Sequence, residues 1–318
     1  MAGRGVLRLL GDPAALLLTE TRLAASRSLL LEARGHRPAP ARDEKLLADW
    51  NALAVSAFAK AAGVLEDGRY LRAAQAAMAR LLEGPELAHS RLAGQVGSGA
   101  FLDDYALSVE ALIDLYETDF QVAHLDRAHR LMVALIERFQ EAPGTAFRFT
   151  PKNRAAAIPA RIVVAEDGIP SGNAAAWRAL NRLVLYGAEG RLAKQAQAVA
   201  TALARHLGTS PPPGLLRALD YQPSEAREIV IVGKLAGADT QAMLREVRGR
   251  LLHGTVLAVI PPGAPARNPA WPLLAGRPLL GTRATVYVCR QRLCDLPVDR
   301  PAELAAQLDR IFPLPPRR

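Results

Sequence analysis

The sequence predicts a mainly α protein: an array of helical hairpins followed by a small α/β unit. Three observations predict it. Half of the 318 residues are hydrophobic while only 5% are aromatic, and the apolar mass is chiefly Ala and Leu, which favours helices over strands. Long segments with apolar residues at helical spacing come in pairs, the first apolar on nearly all sides and the second amphipathic. Beyond Pro211-Pro212-Pro213 the signal changes to short β-branched runs. The expected division is therefore a hairpin domain over 1–215 and an α/β subdomain over 216–318.

The elements follow in order. Ala14–Ala33 carries Leu16, Leu17, Leu23, Leu29 and Leu30 at helical spacing and stops before Gly35 and the Pro38/Pro40 segment. Lys45–Ala62, stopped by Gly63, pairs with Tyr70–Leu82. Leu102–Tyr116 pairs with Val122–Phe139, and Asn173–Tyr186 with Arg191–Leu207. An all-round apolar helix is buried and one with a polar face looks outward, so each pair reads as inner helix, then outer helix. One such hairpin cannot bury its own apolar face and must lean on neighbours. In the α/β unit, Glu228–Val232, Thr255–Ile260 and Ala284–Cys289 read as strands, with Thr240–Leu252 and Ala302–Ile311 as helices.

Composition excludes several classes. A chain half hydrophobic is not disordered. Two cysteines cannot supply a disulfide framework, which makes a cytoplasmic setting the default. No apolar stretch reaches the ~20 residues of a bilayer span, so no membrane association is expected. Arg4, Arg8, Gly11, Asp12 and Pro13 interrupt the apolar residues of the first twenty, which argues against a signal peptide. The net charge of +9 comes from arginines scattered singly beside five lysines, without a basic stripe or interleaved aromatics, so no nucleic-acid partner is expected.

Polar chemistry gathers at three inner-helix starts: Asp43-Glu44-Lys45 leading to Asp49-Trp50-Asn51, Phe101-Leu102-Asp103-Asp104-Tyr105, and Asp167-Gly168-Ile169-Pro170-Ser171-Gly172-Asn173. Parallel inner helices would bring these segments to one end of the array. Helix N-termini offer unpaired N–H groups there, suited to anionic or hydroxyl-rich ligands. Trp50 and Tyr105 would add stacking faces, and Asn51, Asp103, Asp104, Asp167, Ser171 and Asn173 hydrogen-bonding groups, the combination with which proteins hold sugars. Each residue also has a structural reading. Asp103, Asp104 and Ser171 are natural N-caps, and in that role Asp104→Asn would cost at most ~1 kcal/mol. Trp50 on an apolar helix is ordinarily core. The six histidines show no ligand spacing with a carboxylate, so no metal and no cofactor is expected. Gly94-Gln95-Val96-Gly97-Ser98-Gly99 lacks the Lys and the strand-to-helix context of a phosphate loop.

Taken in order, these residues carry a resemblance. Asp43-x-Lys45 with Trp50-Asn51, Phe-Leu-Asp-Asp-Tyr-Ala at 101–106 with Leu115-Tyr116-Glu117, Asp-Gly-Ile-Pro-Ser-Gly-Asn at 167–173, and a tail of Val286-Tyr287-Val288-Cys289, Cys294 and Pro297 resemble the thioredoxin-domain-containing family related to spermatogenesis-associated protein 20. The similarity runs from about residue 25 to residue 310. It implies a partial (α/α)₆ toroid of the six-hairpin glycosidase and 2-epimerase type. It also implies an N-terminal thioredoxin-like domain, which has no counterpart in these residues; they contain no Cys-x-x-Cys. Ala52 and Ala100 stand where the family has glycine.

Two functions follow as expectations. One is a sugar- or amino-sugar-binding toroid, epimerase- or glycosidase-like, with Asp104 and Asp167 as acid and base and Trp50, Asn51, Asp103, Tyr105, Ser171 and Asn173 as positioners. The other is a non-catalytic scaffold that pairs with a separate chain supplying the thioredoxin domain and the missing hairpins. Cys289 ends a β run and reads as structural, and with Cys294 alone makes too few ligands for zinc.

Overall fold

The computed structural model describes residues 13–153, 161–188 and 190–312, which form two compact units divided between Glu44 and Lys45. The first part of the segment read as lacking a signal peptide lies outside the described residues. The first unit contains helix α1 (Pro13–Gly35), close to its expected span, with Leu29, Leu30 and Leu31 exposed.

The second unit opens with a two-residue strand β1 (Leu46–Leu47) and three successive hairpins. These are α2 (Ala48–Leu65) with α3 (Gly68–Leu81), α4 (Leu102–Asp119) with α5 (Val122–Phe139), and α6 (Gly172–Tyr186) with α7 (Arg191–Leu203). Strands β2 (Ala88–Leu92) and β3 (Gln95–Gly99) form a β-hairpin between the first two pairs. α2 packs on α4 and α4 on α6, with α3, α5 and α7 outside. The inner helices run parallel. At their starts Asp104 reaches the Asp49 N–H, and at their far ends Lys60 meets Asp114 and Tyr186 meets Glu117. This is an arc of an α/α toroid, mainly helical, as expected. α4 and α6 are buried on nearly every side, whereas α2, at the end of the arc, exposes Trp50, Phe58, Val64 and Leu65. Among the described residues of the second unit, no further hairpin packs on the outer flank of α2.

Helix ends follow local chemistry. Asp67 caps α3 by accepting the Arg69 N–H at 2.9 Å. α6 stops at Gly187 with φ 105°, and a β-carbon there would stand 2.3 Å from Pro272 Cδ, so glycine is required twice over. α7 ends at Leu203 and tightens into a 3₁₀ turn to His206, short of its expected end at Leu207.

After α8 (Pro213–Leu219) come β4 (Arg227–Val232), α9 (Ala238–Arg248), β5 (Thr255–Ile260), β6 (Thr285–Arg290), β7 (Leu293–Cys294) and α10 (Pro301–Ile311). The sheet order is β5-β4-β6-β7, with β4 and β5 parallel and the remaining pairs antiparallel. Period-two alternation gives the sheet two apolar faces. Val230, Val232, Val256, Ala258 and Ile260 join the core of the helical array, while Ile229, Ile231, Val286 and Val288 pack on Met243 and Leu244 of α9 and Leu304 and Leu308 of α10. One core therefore runs across the division expected at 215/216. Cys289 and Cys294 face each other across β6 and β7 and form a disulfide, a pairing the sequence reading did not include.

Candidate functional site

The starts of α2, α4 and α6 lie together, and adjacent aspartates join them. Asp104 is fully buried. Its Oδ1 accepts the N–H of Asp49 in the first turn of α2 at 3.1 Å, and its Oδ2 accepts the Phe101 N–H at the start of its own helix at 2.7 Å. Asp103 turns the other way and accepts the N–H of Gly172, the first residue of α6. The residues at the cap positions of all three helices, Leu47, Phe101 and Ser171, have no hydroxyl or carboxylate bonded to those amides. The two carboxylates thus supply, mostly from a neighbouring helix, the acceptors that orphaned first-turn N–H groups need.

A histidine completes the cluster. His89 Nδ1 lies 3.0 Å from Asp104 Oδ1 and 3.1 Å from Oδ2. β2 carries His89 and pairs with β1, Leu47 opposite Ser90, which fixes the ring at the entrance of α2. An ionised carboxylate only accepts, so Nδ1 is the donor in this contact and Nε2 is the ring nitrogen not engaged by Asp104. The side chain is 27% exposed and its ring stands edge-on to Phe101, which stacks on Phe149. The cluster was missed because β2 and β3, Ala-His-Ser-Arg-Leu and Gln-Val-Gly-Ser-Gly, have neither apolar alternation nor β-branched density. Gln95–Gly99, from the glycine-rich segment without phosphate-loop context, is one strand of this hairpin, and a β-carbon on Gly97 would stand 2.6 Å from Ser90 Oγ. A second histidine also meets a carboxylate in the fold: His124 Nε2 lies 3.1 Å from Asp119. Both contacts bridge separate segments or a helix start, where sequence spacing carries no signal.

Electrostatics here are set by burial. Burial pushes the Asp103 carboxyl up to about 6; the Gly172 N–H works against it, and the Asp104 and Asp49 charges add to it. Burial raises Asp104 as well, opposed by the Phe101 N–H and by His89. One ligand atom each from Asp49, His89 and Asp104 lies within 4.8 Å of the others, close enough to surround a cation. However, both Asp104 oxygens already accept N–H bonds, and Asp49 Oδ1 accepts the Trp50 N–H at 2.8 Å. The donor set fits a hydrogen-bonded triad better than a metal site.

The other sequence-predicted residues divide. Trp50, one residue from Asp49, is 62% exposed and so is not core. Asn51 donates Nδ2–H to Leu47 O at 2.8 Å. Ser171 is buried and donates to Val163 O at 3.2 Å. Asn173 is fully buried and braces two loops: its Oδ1 accepts the Phe147 N–H at 2.8 Å, and its Nδ2 donates to Phe147 O and Val163 O at 2.9 Å. Tyr105 is buried against Phe139 beneath the Arg138 guanidinium and borders a cleft of about 290 Å³ with Glu86 and Asn153. Asp167 stands exposed on the loop entering α6, and among the described residues no hydrogen bond joins it to Asp104.

No family model matches the chain. It is 31% identical over 297 residues to spermatogenesis-associated protein 20 of Homo sapiens, an alignment covering 86% of this chain and 37% of that protein. An uncharacterized protein of Caenorhabditis elegans is 27% identical over 300 residues, covering 88% of this chain and 40% of its own. The chain thus spans well under half the length of these relatives. Among solved structures, a cellobiose 2-epimerase from Bacillus thermoamylovorans is similar with TM-score 0.43 and 19% identity, over 53% of this chain and 47% of that one. A GH76 alpha-mannanase from Bacteroides thetaiotaomicron follows with TM-score 0.42 and 15% identity, over 58% and 52%.

Proposed function

The chain is homologous to the spermatogenesis-associated protein 20 family, and from that premise we propose that its inner-helix entrance binds a sugar or amino sugar and converts it by acid–base chemistry at His89. The observation that carries the reading is the His89–Asp104 pair. A carboxylate that holds a partly exposed imidazole through Nδ1 leaves Nε2 as the nitrogen that would exchange a proton with a ligand. Asp104, buried, acts through His89 as a positioning residue rather than on the ligand. Trp50 offers an exposed ring one residue from the cluster, the kind of face on which an apolar sugar surface stacks. Asp167, on the exposed approach to α6, is the carboxylate that would act on a bound sugar.

A second reading is a non-catalytic scaffold whose arc is closed by a separate chain carrying the missing hairpins and the thioredoxin-like domain. The exposed Phe58 and Leu65 of α2 favour it. Among the described residues no helix is long and apolar enough to cross a membrane. A cytoplasmic setting belongs to this proposal, and thiol labelling of protein taken directly from cells tests it, because a reducing compartment keeps Cys289 and Cys294 apart.

The deciding experiment titrates the chain with free sugars and amino sugars and follows both binding and turnover. The enzyme reading expects Trp50→Ala to weaken binding and His89→Gln to lower turnover by ~10²-fold or more while the fold persists. If no sugar in the panel binds, alone or with the partner chain, the scaffold reading stands.

A further inference from the structure

At the opposite end of the array, where α2 and α4 finish against the α/β unit, a cavity of about 370 Å³ opens to solvent. Its walls are apolar, from Val64, Val247, Leu251 and Leu252, and Val64 and Leu251 stand 61% and 78% exposed at its mouth. Its floor is ionic. Asp114, buried, takes Lys60 Nζ at 2.7 Å and Arg182 at 2.8 Å, and Arg182 also meets Glu117 at 2.9 Å. Glu117 further accepts the Tyr186 hydroxyl at 2.7 Å. Both floor carboxylates are thereby matched.

Arg248 is the cation without a carboxylate partner among the described residues; its guanidinium lies over the Phe120 ring, 5.6 Å from the centroid. Its Nη2 donates to two backbone carbonyls ending α4, Glu117 O at 3.1 Å and Thr118 O at 2.8 Å, and among the described residues it forms no ion pair. Nearby charges are otherwise engaged: Arg250 with Glu246 and Asp309, and Arg245 with Glu66. Gly63 makes room for this guanidinium, since a β-carbon there would stand 3.1 Å from Arg248 Nε. Burial lowers the guanidinium from its ordinary value, so its charge is held at a desolvation cost that an anion would offset. Lys60 and Arg248 thus line an apolar-walled cavity whose two carboxylates, Asp114 and Glu117, are already paired.

We propose that this cavity is a binding site, separate from the inner-helix entrance, for a small organic carboxylate. The anionic head would meet the Arg248 guanidinium and the spare N–H groups of Lys60, and the aliphatic or aryl body would lie against Val64, Leu251 and Leu252. The source of selectivity is the combination: a pocket that is mostly apolar with a few placed polar groups binds an amphipathic molecule of matching charge.

Calorimetric titration of the intact chain with sodium octanoate, and separately with octylamine, tests this directly. The expected result is one saturable octanoate site, with octylamine weaker by about tenfold or more, the worth of a charge-assisted hydrogen bond at a partly buried site. Arg248→Gln should weaken octanoate by a similar factor. Because Arg248 also closes the end of α4, Leu251→Asp, at a position exposed to solvent, provides the second arm and should weaken octanoate comparably without lowering the melting temperature. Equal binding of the amine, absence of saturable octanoate binding at millimolar concentration, or wild-type affinity in Leu251→Asp would overturn the proposal.

Discussion

A β-carbon placed on Gly172 would stand 2.1 Å from Asp103 Oδ1, the side chain that accepts the Gly172 N–H. The two residues are therefore one device: glycine lets the α6 backbone come close enough for Asp103 to cap it from α4. Gly172→Ala should destabilise the protein by ~2 kcal/mol or more, because the added carbon would also stand 2.9 Å from Leu102 Cγ and 3.1 Å from the Asp103 backbone nitrogen. Introduced together with Asp103→Ala, the same change should cost less than the sum of the single effects, since the closest of the three contacts, with the carboxylate, is gone while those with Leu102 Cγ and the Asp103 nitrogen remain. A double-mutant cycle in denaturant midpoints measures this, and simple additivity would show that the pair is not coupled.

Asp103 also gives stability a pH dependence of definite sign. Its carboxyl lies near ~3.9 in an unfolded chain and at about 6 in the fold. Between those values the folded protein holds a proton that the unfolded chain has lost, so this residue's contribution falls as pH rises through the window. Asp103→Asn keeps an oxygen for the Gly172 N–H and removes the buried charge. The variant should therefore gain on the wild type between pH 4.5 and 7.5. A stability difference that stays flat across that range would contradict the assignment.

Much of this architecture was legible because it is local. α5 spans Val122–Phe139 and β5 spans Thr255–Ile260, as their periodicities predict, and the apolar inner helices α4 and α6 read as buried because no face is polar. The convergence of the three motif segments followed from hairpin repetition. What stayed hidden was contact between elements. Nothing in Asp103-Asp104 says that each side chain caps a different neighbouring helix, and nothing in Ala-His-Ser-Arg-Leu marks a strand delivering His89 to Asp104. Trp50 reads from the sequence both as a stacking face and as core, and helical spacing alone does not decide between them; the fold leaves it exposed.

The same contacts change what Asp104→Asn should do. As a simple N-cap it would cost at most ~1 kcal/mol. In the fold both oxygens accept N–H groups, from Asp49, Phe101 and His89. An amide offers one oxygen and turns an NH₂ toward at least one buried donor. The cost should reach ~1–3 kcal/mol, and the His89 ring should lose its fixed tautomer. Chemical denaturation reads the first effect, and the imidazole nitrogen shifts in NMR spectra read the second. An unchanged tautomer population would mean that Asp104 does not position His89.

The strongest single-site loss is expected inside the α4–α6 interface, where Glu110 and Arg178 form a two-pronged ion pair with side chains only 4% and 11% exposed. Glu110→Ala strands a guanidinium in a nearly dry interior, and Arg178 cannot neutralise itself by losing a proton. A loss of ~3–5 kcal/mol should follow, enough to unfold a marginal domain at ambient temperature. Replacing both partners with methionine should recover most of that loss, because the desolvation of two charges disappears along with their attraction. Melting temperatures of the single and double variants decide the matter. If Glu110→Ala melts with the wild type, water reaches Arg178 and the pair is not buried as described; if the double variant is as unstable as the single, the ion pair itself, not the stranded charge, holds the two helices together.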